Sequence, residues 1–339
     1  MKVNILSAKQ ITIQEPLCEK WMEEPLAYSE DYVRAIDPDF RQFISAGDAR
    51  RMGKLMKRAL ATSVSALKEG GIENPDAIIT GTGFGSIENT ELFLDALVRQ
   101  GEQMLKPTLF MQSTHNTASS LIGIHTHSHG YNSTYSQKGL SFDSALYDAW
   151  LQFRLGKIGN ALVGAHDEMS PVFSTFMRKA GHVKDGEICS EAAVSVLLST
   201  ATDSAAAPYC TLDAVKILNR PDRETLHAAI SAMIAESGIE KVDAIVTGMS
   251  GNAVNDSWYG LLDGVLEGVP RVGYRNLFGV TFASSAVGFY AAACSLREGR
   301  IPASMTGANP IGCTHGILLV NVADGRHYSL SILEPTCGR

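Results

Sequence analysis

Residues 131–150 read YNSTYSQKGLSFDSALYDAW. Tyr131, Ser133 and Tyr135 alternate with Asn132, Thr134 and Ser136 at the period of a strand. Phe142, Ala145, Leu146, Ala149, Trp150 and Phe153 then recur at helical spacing. A strand turning sharply into a helix suits a nucleophile, because the helix start stabilises negative charge. The turn here holds Lys138-Gly139-Leu140-Ser141. Ser141 has no base beside it in sequence and reads as a helix-start hydroxyl capping a free N–H. Cys189, in EICSEAAVS, has no histidine nearby and precedes a strand-like run, the setting of a buried strand-end thiol.

Other residue groups are also chemically capable. His125, His127 and His129 form HTHSH, which could ligate a metal on an extended backbone. On a helix only His125 and His129 share a face. No acidic or cysteine ligand lies close, and Gly130 reads as a helix C-cap, where cationic histidines suit the dipole. No metal and no cofactor are expected. GTGFGS (81–86) lacks the spacing of a dinucleotide fingerprint and the Lys-Ser/Thr of a P-loop, so it is not read as a nucleotide site. His115 sits in a polar run, STHNT, suited to an interface or a cleft. Arg50, Arg51, Lys54, Lys57 and Arg58 read as a basic stripe on one helix, either a solvated face or a docking surface for an acidic partner.

The elements that must position these residues repeat. GIENPDAIITG begins at Gly71 and GIEKVDAIVTG at Gly238, an offset of 167. Each copy follows an amphipathic helical stretch (54–68 and 223–236) and reads as helix, turn and a buried strand ending in glycine. A second echo pairs Ser144-Ala145-Leu146 with Ser285-Ala286-Val287, each opening an interior helix that ends in an arginine-rich, glycine-containing turn. These repeats predict a duplicated α/β chain: two halves, 1–199 and 209–339, joined by the small polar segment 200–208, with two mixed sheets packed together. A final strand pair is expected at 316–322 and 328–333 around Ala323-Asp324-Gly325.

Composition narrows the function classes. A net charge of −7 argues against nucleic acid as the main partner. Six scattered cysteines without a CxxC pair read as reduced thiols of a cytoplasmic protein. The N-terminus shows no apolar signal segment, and the longest apolar run, 286–296, is too short to span a bilayer.

Taken together, the repeated halves and buried central helices resemble the thiolase fold and, within it, the β-ketoacyl synthases. The resemblance runs from about Arg50 to the end and is carried by ITGTGFGSIENTE (79–91), ALVGAHDE (161–168) and LREGRIPAS (296–304). PTLFMQSTHNTASSLIG (107–123) is similar to a branch called chain-length factors, met with aryl-polyene pathways. The resemblance implies a layered αβαβα fold and a cysteine nucleophile at the start of the first central helix, with two histidines and a lysine around it. Carried over, the cysteine position falls on Gly139, the histidine positions on Gly248 and Val280, and the lysine position on Arg275. All four are vacant or altered, so the implied role is that of a non-catalytic subunit. It would pair with an active ketosynthase as a heterodimer, or with itself, and meet an acyl carrier protein.

Interface or tunnel residues are then expected at His115, Asn116, Thr134, Tyr135, Gln137, Ile311 and Cys313, and carrier docking at Arg50, Arg51, Lys54 and Arg58. Two alternatives stay open: an acyltransferase with a displaced nucleophile at Ser141 or Cys189, and a homodimeric acyl-binding protein.

Overall fold

The structure is a computed structural model describing residues 2–103, 105–201 and 206–336. Ten strands carry the fold: β1 (Val3–Ile11), β2 (Ala77–Gly81), β3 (Tyr131–Tyr135), β4 (Asn160–Asp167), β5 (Ala192–Ser199), β6 (Cys210–Asn219), β7 (Ala244–Thr247), β8 (Arg271–Gly273), β9 (Ile317–Ala323) and β10 (His327–Glu334). Their order in the sheet is β8-β7-β9-β10-β6-β1-β5-β4-β2-β3. Read outward from its centre, each side has the same pattern. β1 and β6 are innermost, an antiparallel strand (β5, β10) follows, and three mutually parallel strands complete each side.

The two expected mixed sheets are five-stranded half-sheets that also join edge to edge. β1 and β6 pair antiparallel at Val3↔Leu212, Asn4↔Thr211 and Ile5↔Cys210. The inner edges of equivalent strands face each other there, and pairing satisfies backbone groups that would otherwise be buried unbonded.

Strand sequences explain the layers. Consecutive residues point to opposite faces, and here both faces are covered, giving near-continuous apolar runs. Ala77 and Ile79 enter one core while Ile78 enters another. Ala244 and Val246 likewise join the first core, and Ile245 a third. Helices α1 (Lys54–Gly70) and α4 (Thr117–His125) cover the outside of the first half-sheet. Helix α7 (Arg223–Ser237) covers the outside of the second. Between the half-sheets lie α5 (Ser141–Arg154) and α8 (Ser284–Arg297), in contact with each other. The result is an αβαβα stack. Small side chains, among them Ala286, Gly288 and Ala291 to Ala293, let α8 pass through its middle, buried on every side. No helix is long and apolar enough to cross a membrane among the described residues.

The central helices correct the expected register. Both have 14 residues, and they match Ser141 with Ser284 and Arg154 with Arg297, not Ser144 with Ser285. A similar serine latch to the preceding turn marks both starts. Ser141 Oγ accepts from the Gln137 N–H at 2.8 Å and donates to the Lys138 carbonyl at 2.7 Å. Ser284 Oγ accepts from the Thr281 N–H at 3.0 Å and donates to the Thr281 carbonyl at 2.7 Å.

The HTHSH histidines do not run along one helix or one strand. α4 ends at His125, and His127 takes a left-handed φ of 52° in the turn to β3. Gly130 is not a helix cap: a methyl group there would stand 2.1 Å from the Asp76 carbonyl oxygen, so the close approach of two chains requires glycine. Residues 202–205 of the expected junction, and Cys337, lie outside the described residues.

Candidate functional site

The turn after β3 is a strained elbow. Its left-handed residue is Lys138, with φ 51°, rather than Gly139. A side chain with a Cβ costs about 1–2 kcal/mol in that conformation, and the two backbone bonds to Ser141 hold it there. Strain of this kind marks functional turns, nucleophile elbows included. The Gly139 carbonyl accepts from Asn321 Nδ2 at 3.1 Å, and the same amide nitrogen reaches Asp143 Oδ2 at 2.8 Å. Asn321, on β9, thereby ties the elbow to the second half. Burial pushes the Asp143 carboxyl up to about 6, against the hydrogen bonds it accepts.

Lys138 and Gly139 line a cleft of 370 Å³ together with Arg275, Val280, Met169, Met177 and Phe282. Gly248 does not line it but lies beside Arg275. The Gly248 N–H donates to Tyr259 Oη at 3.0 Å, and a methyl at 248 would lie 2.7 Å from that oxygen and 3.0 Å from Arg275 Nε. Three of the four carried-over positions, Gly139, Arg275 and Val280, thus line the cleft, and Gly248 adjoins it through Arg275. Cys18, Cys189, Cys210, Cys294 and Cys313 do not line it, and its one imidazole, His182, is exposed and packs edge-on against Phe282.

Ser141 and Cys189 are both committed elsewhere. Ser141 is fully buried, and its proton is directed at the carbonyls of Lys138 and Thr82. Cys189 is fully buried, bridged through its backbone to Val280, and burial pushes its thiol up to about 12. A thiol held protonated is a poor nucleophile.

The remaining predicted residues are dispersed. His115 and Asn116 are exposed, and His115 borders a narrow crevice with Thr80, Thr82 and His166 instead of the cleft. Thr134 Oγ1 bonds Ser119 Oγ at 2.8 Å, Tyr135 packs on the central core, and exposed Gln137 bonds Ser144. All three belong to β3 or its exit. Ile311 pairs with Ile301 in a two-stranded ribbon and Cys313 is fully buried, and neither lines the cleft.

Arg58 is not a docking residue. It is 1% exposed, pairs with Glu191 at 2.8 Å and also bonds Asp37. Arg50 and Arg51 are exposed but precede α1, so the stripe does not run along one helix. Lys54 reaches Glu88 at 3.9 Å.

Sequence reasoning missed the carboxylates behind the elbow. Asp167 accepts from the N–H groups of Gly83 and Phe84 at 2.9 Å and Gly85 at 3.2 Å, and from Thr82 Oγ1 at 2.8 Å. The GTGFG loop is thus an anion nest already filled by the chain's own carboxylate. Glu168 accepts from the Leu55 N–H at 2.6 Å and the Glu88 N–H at 3.3 Å, capping two helix starts. Burial nonetheless raises Asp167 to about 6 and Glu168 to about 7, and lowers His166 to about 3. No group of three or more side chains able to hold a metal occurs among the described residues.

Comparison with known proteins follows the same lines. A family described as "Beta-ketoacyl synthase, N-terminal domain" matches residues 19–246. A search of curated proteins finds no match. Among solved structures, "The ishigamide ketosynthase/chain length factor" superposes with a TM-score of 0.81 at 16% identity, covering 99% of each chain. A β-ketoacyl synthase from Burkholderia phymatum gives 0.78 at 14% identity, covering 99% of this chain and 100% of its own. A type II polyketide carrier protein in complex with its ketosynthase gives 0.76 at 14%, covering 99% of each. At such identities the structural likeness carries the thiolase-like fold alone. Because the family match takes in two thirds of its length, the chain belongs to the β-ketoacyl synthase family.

Proposed function

We propose that this chain is a ketosynthase-like subunit without the Cys/His/His set. It acts as a chain-length-factor-type partner of an active β-ketoacyl-acyl-carrier-protein synthase in fatty-acid, polyene or polyketide elongation. The observation that carries the reading is the cleft: Gly139, Arg275 and Val280 line it with Gly248 beside Arg275, and none of them offers a thiol or an imidazole. Removing one member of a catalytic unit already costs most of its rate.

A pairing surface supports the same reading. β3 is the last strand of the sheet. Tyr131 and Tyr135 direct backbone groups to the β2 side, which turns those of Asn132 and Thr134 to the open side. Beside it, α4 packs on α3 (Pro107–Ser113), and α3 packs on α2 (Ile87–Gln100). These helices expose Leu92, Leu94, Val98, Phe110 and Met111, with Val98 84% exposed. An open strand edge next to an apolar patch of this size suits a second chain. Arg50, Arg51 and Lys54 remain candidates for meeting an acidic carrier protein.

Co-expression with an active ketosynthase tests the reading. The two chains are expected to co-purify, and Asn132→Pro, which removes an outward N–H from the edge, is expected to abolish the pairing while leaving this chain folded. A partner fully active alone, with no capture of this chain, would refute it.

A further inference from the structure

We propose that the cleft is a carboxylate site, and that its ligand is the free carboxylate of an acyl chain rather than a thioester. This rests on the reading that the cleft has lost its condensing residues, but not on pairing with a second chain.

Arg275 carries the argument. Its one acidic influence is Glu187, which acts through space and is itself bonded to Ser250 and Asn255. Removing a cation from water without a close counter-charge is costly. An anion in the cleft, where Arg275 is a lining residue, supplies the missing close counter-charge.

The surroundings agree. Lys138 and Arg326 line the same cleft with one acid, Asp324, although the whole chain carries −7. Concentrating cations in a low-dielectric hollow raises the local concentration of anions. A guanidinium accepts carboxylate or phosphate through two parallel N–H donors. The opposite wall decides between them. Met169, Met177, Val280 and Phe282 offer an apolar, adaptable surface for an alkyl chain, which inorganic phosphate lacks. A volume of 370 Å³ is that of a small-molecule site. A neutral thioester supplies no charge for Arg275.

Isothermal titration of the purified chain with octanoate, octanamide and inorganic phosphate tests this. Octanoate is expected to bind saturably, with the amide and phosphate weaker by about tenfold or more, the worth of a charged hydrogen bond. Arg275→Met is expected to lose a similar factor, and Lys138→Met a smaller one. If Arg275→Met does not fold, Arg275→Lys keeps the charge without the fork and is expected to fall between. Equal binding of octanoate and octanamide, tighter binding of phosphate, or octanoate affinity unchanged in Arg275→Met or Arg275→Lys would overturn the proposal. The titration uses this chain alone, so its failure leaves the pairing with a ketosynthase untouched.

Discussion

Gly248 and Arg275 share one volume: a methyl group on the glycine would stand 3.0 Å from the arginine Nε. The glycine at 248 and the arginine at 275 are therefore coupled, and placing a histidine at 248 requires moving Arg275 and Tyr259. Gly248→Ala is expected to cost about 1–3 kcal/mol, as overpacking does. Adding Arg275→Ala to it should recover part of that loss. Urea denaturation of the two singles and the double checks the coupling, and simple additivity would contradict it.

Position 139 behaves differently. A methyl there meets only the Ala323 Cβ at 3.6 Å, an ordinary contact. Gly139→Cys is expected to fold with stability within about 0.5 kcal/mol of the parent. It should still fail to condense acyl groups, because no imidazole stands at 248 or 280. Denaturation and a single-turnover condensation assay check both halves.

The Arg58–Glu191 pair is buried on both sides, at 2% and 1% side-chain exposure. Arg58→Met leaves Glu191 without its cation and is expected to cost about 3–5 kcal/mol. Carrier-protein affinity per folded molecule should not change, since Arg58 does not reach the surface. Denaturation and a binding titration separate the two effects.

Burial, and then the adjacent Glu334, push the Asp213 carboxyl up to about 8. A folded-state pKa above the unfolded one favours the protonated form. The stability it contributes is full below about pH 4, the unfolded pKa, and is lost as pH rises through 8. Asp213→Asn keeps a neutral side chain at all pH values. It is expected to flatten this part of the pH–stability curve and to raise stability at pH 8 relative to the parent. Thermal melts across the range check the sign.

Thiol labelling distinguishes buried from available cysteines. Cys189, Cys210, Cys294 and Cys313 are buried, whereas Cys18 is half-buried. A thiol reagent is expected to modify Cys18 and to spare these four until the chain unfolds. Peptide mass mapping reads the sites, and early modification of Cys189 would revive it as a nucleophile candidate.

The repeat at an offset of 167 was legible because β2 and β7 are buried on both faces and leave few acceptable residue types. The central helices were legible as interior segments but not in register, since the first helical serines, Ser141 and Ser284, define the match and a serine has many other uses. Arg58 looked like part of a solvated stripe because its partners, Glu191 and Asp37, lie 133 and 21 residues away. The same distance in sequence hid Asp167, whose nest is formed by residues 82–85. The left-handed Lys138 gave no signal, because a glycine beside it is the residue a reader assigns to such a turn.

The most direct test is the intact mass of both chains after a co-purified pair has been incubated with an acyl-carrier thioester. The acyl mass is predicted on the partner ketosynthase alone, with none on this chain. An acyl adduct on this chain, lost on Ser141→Ala or Cys189→Ala, would contradict the account.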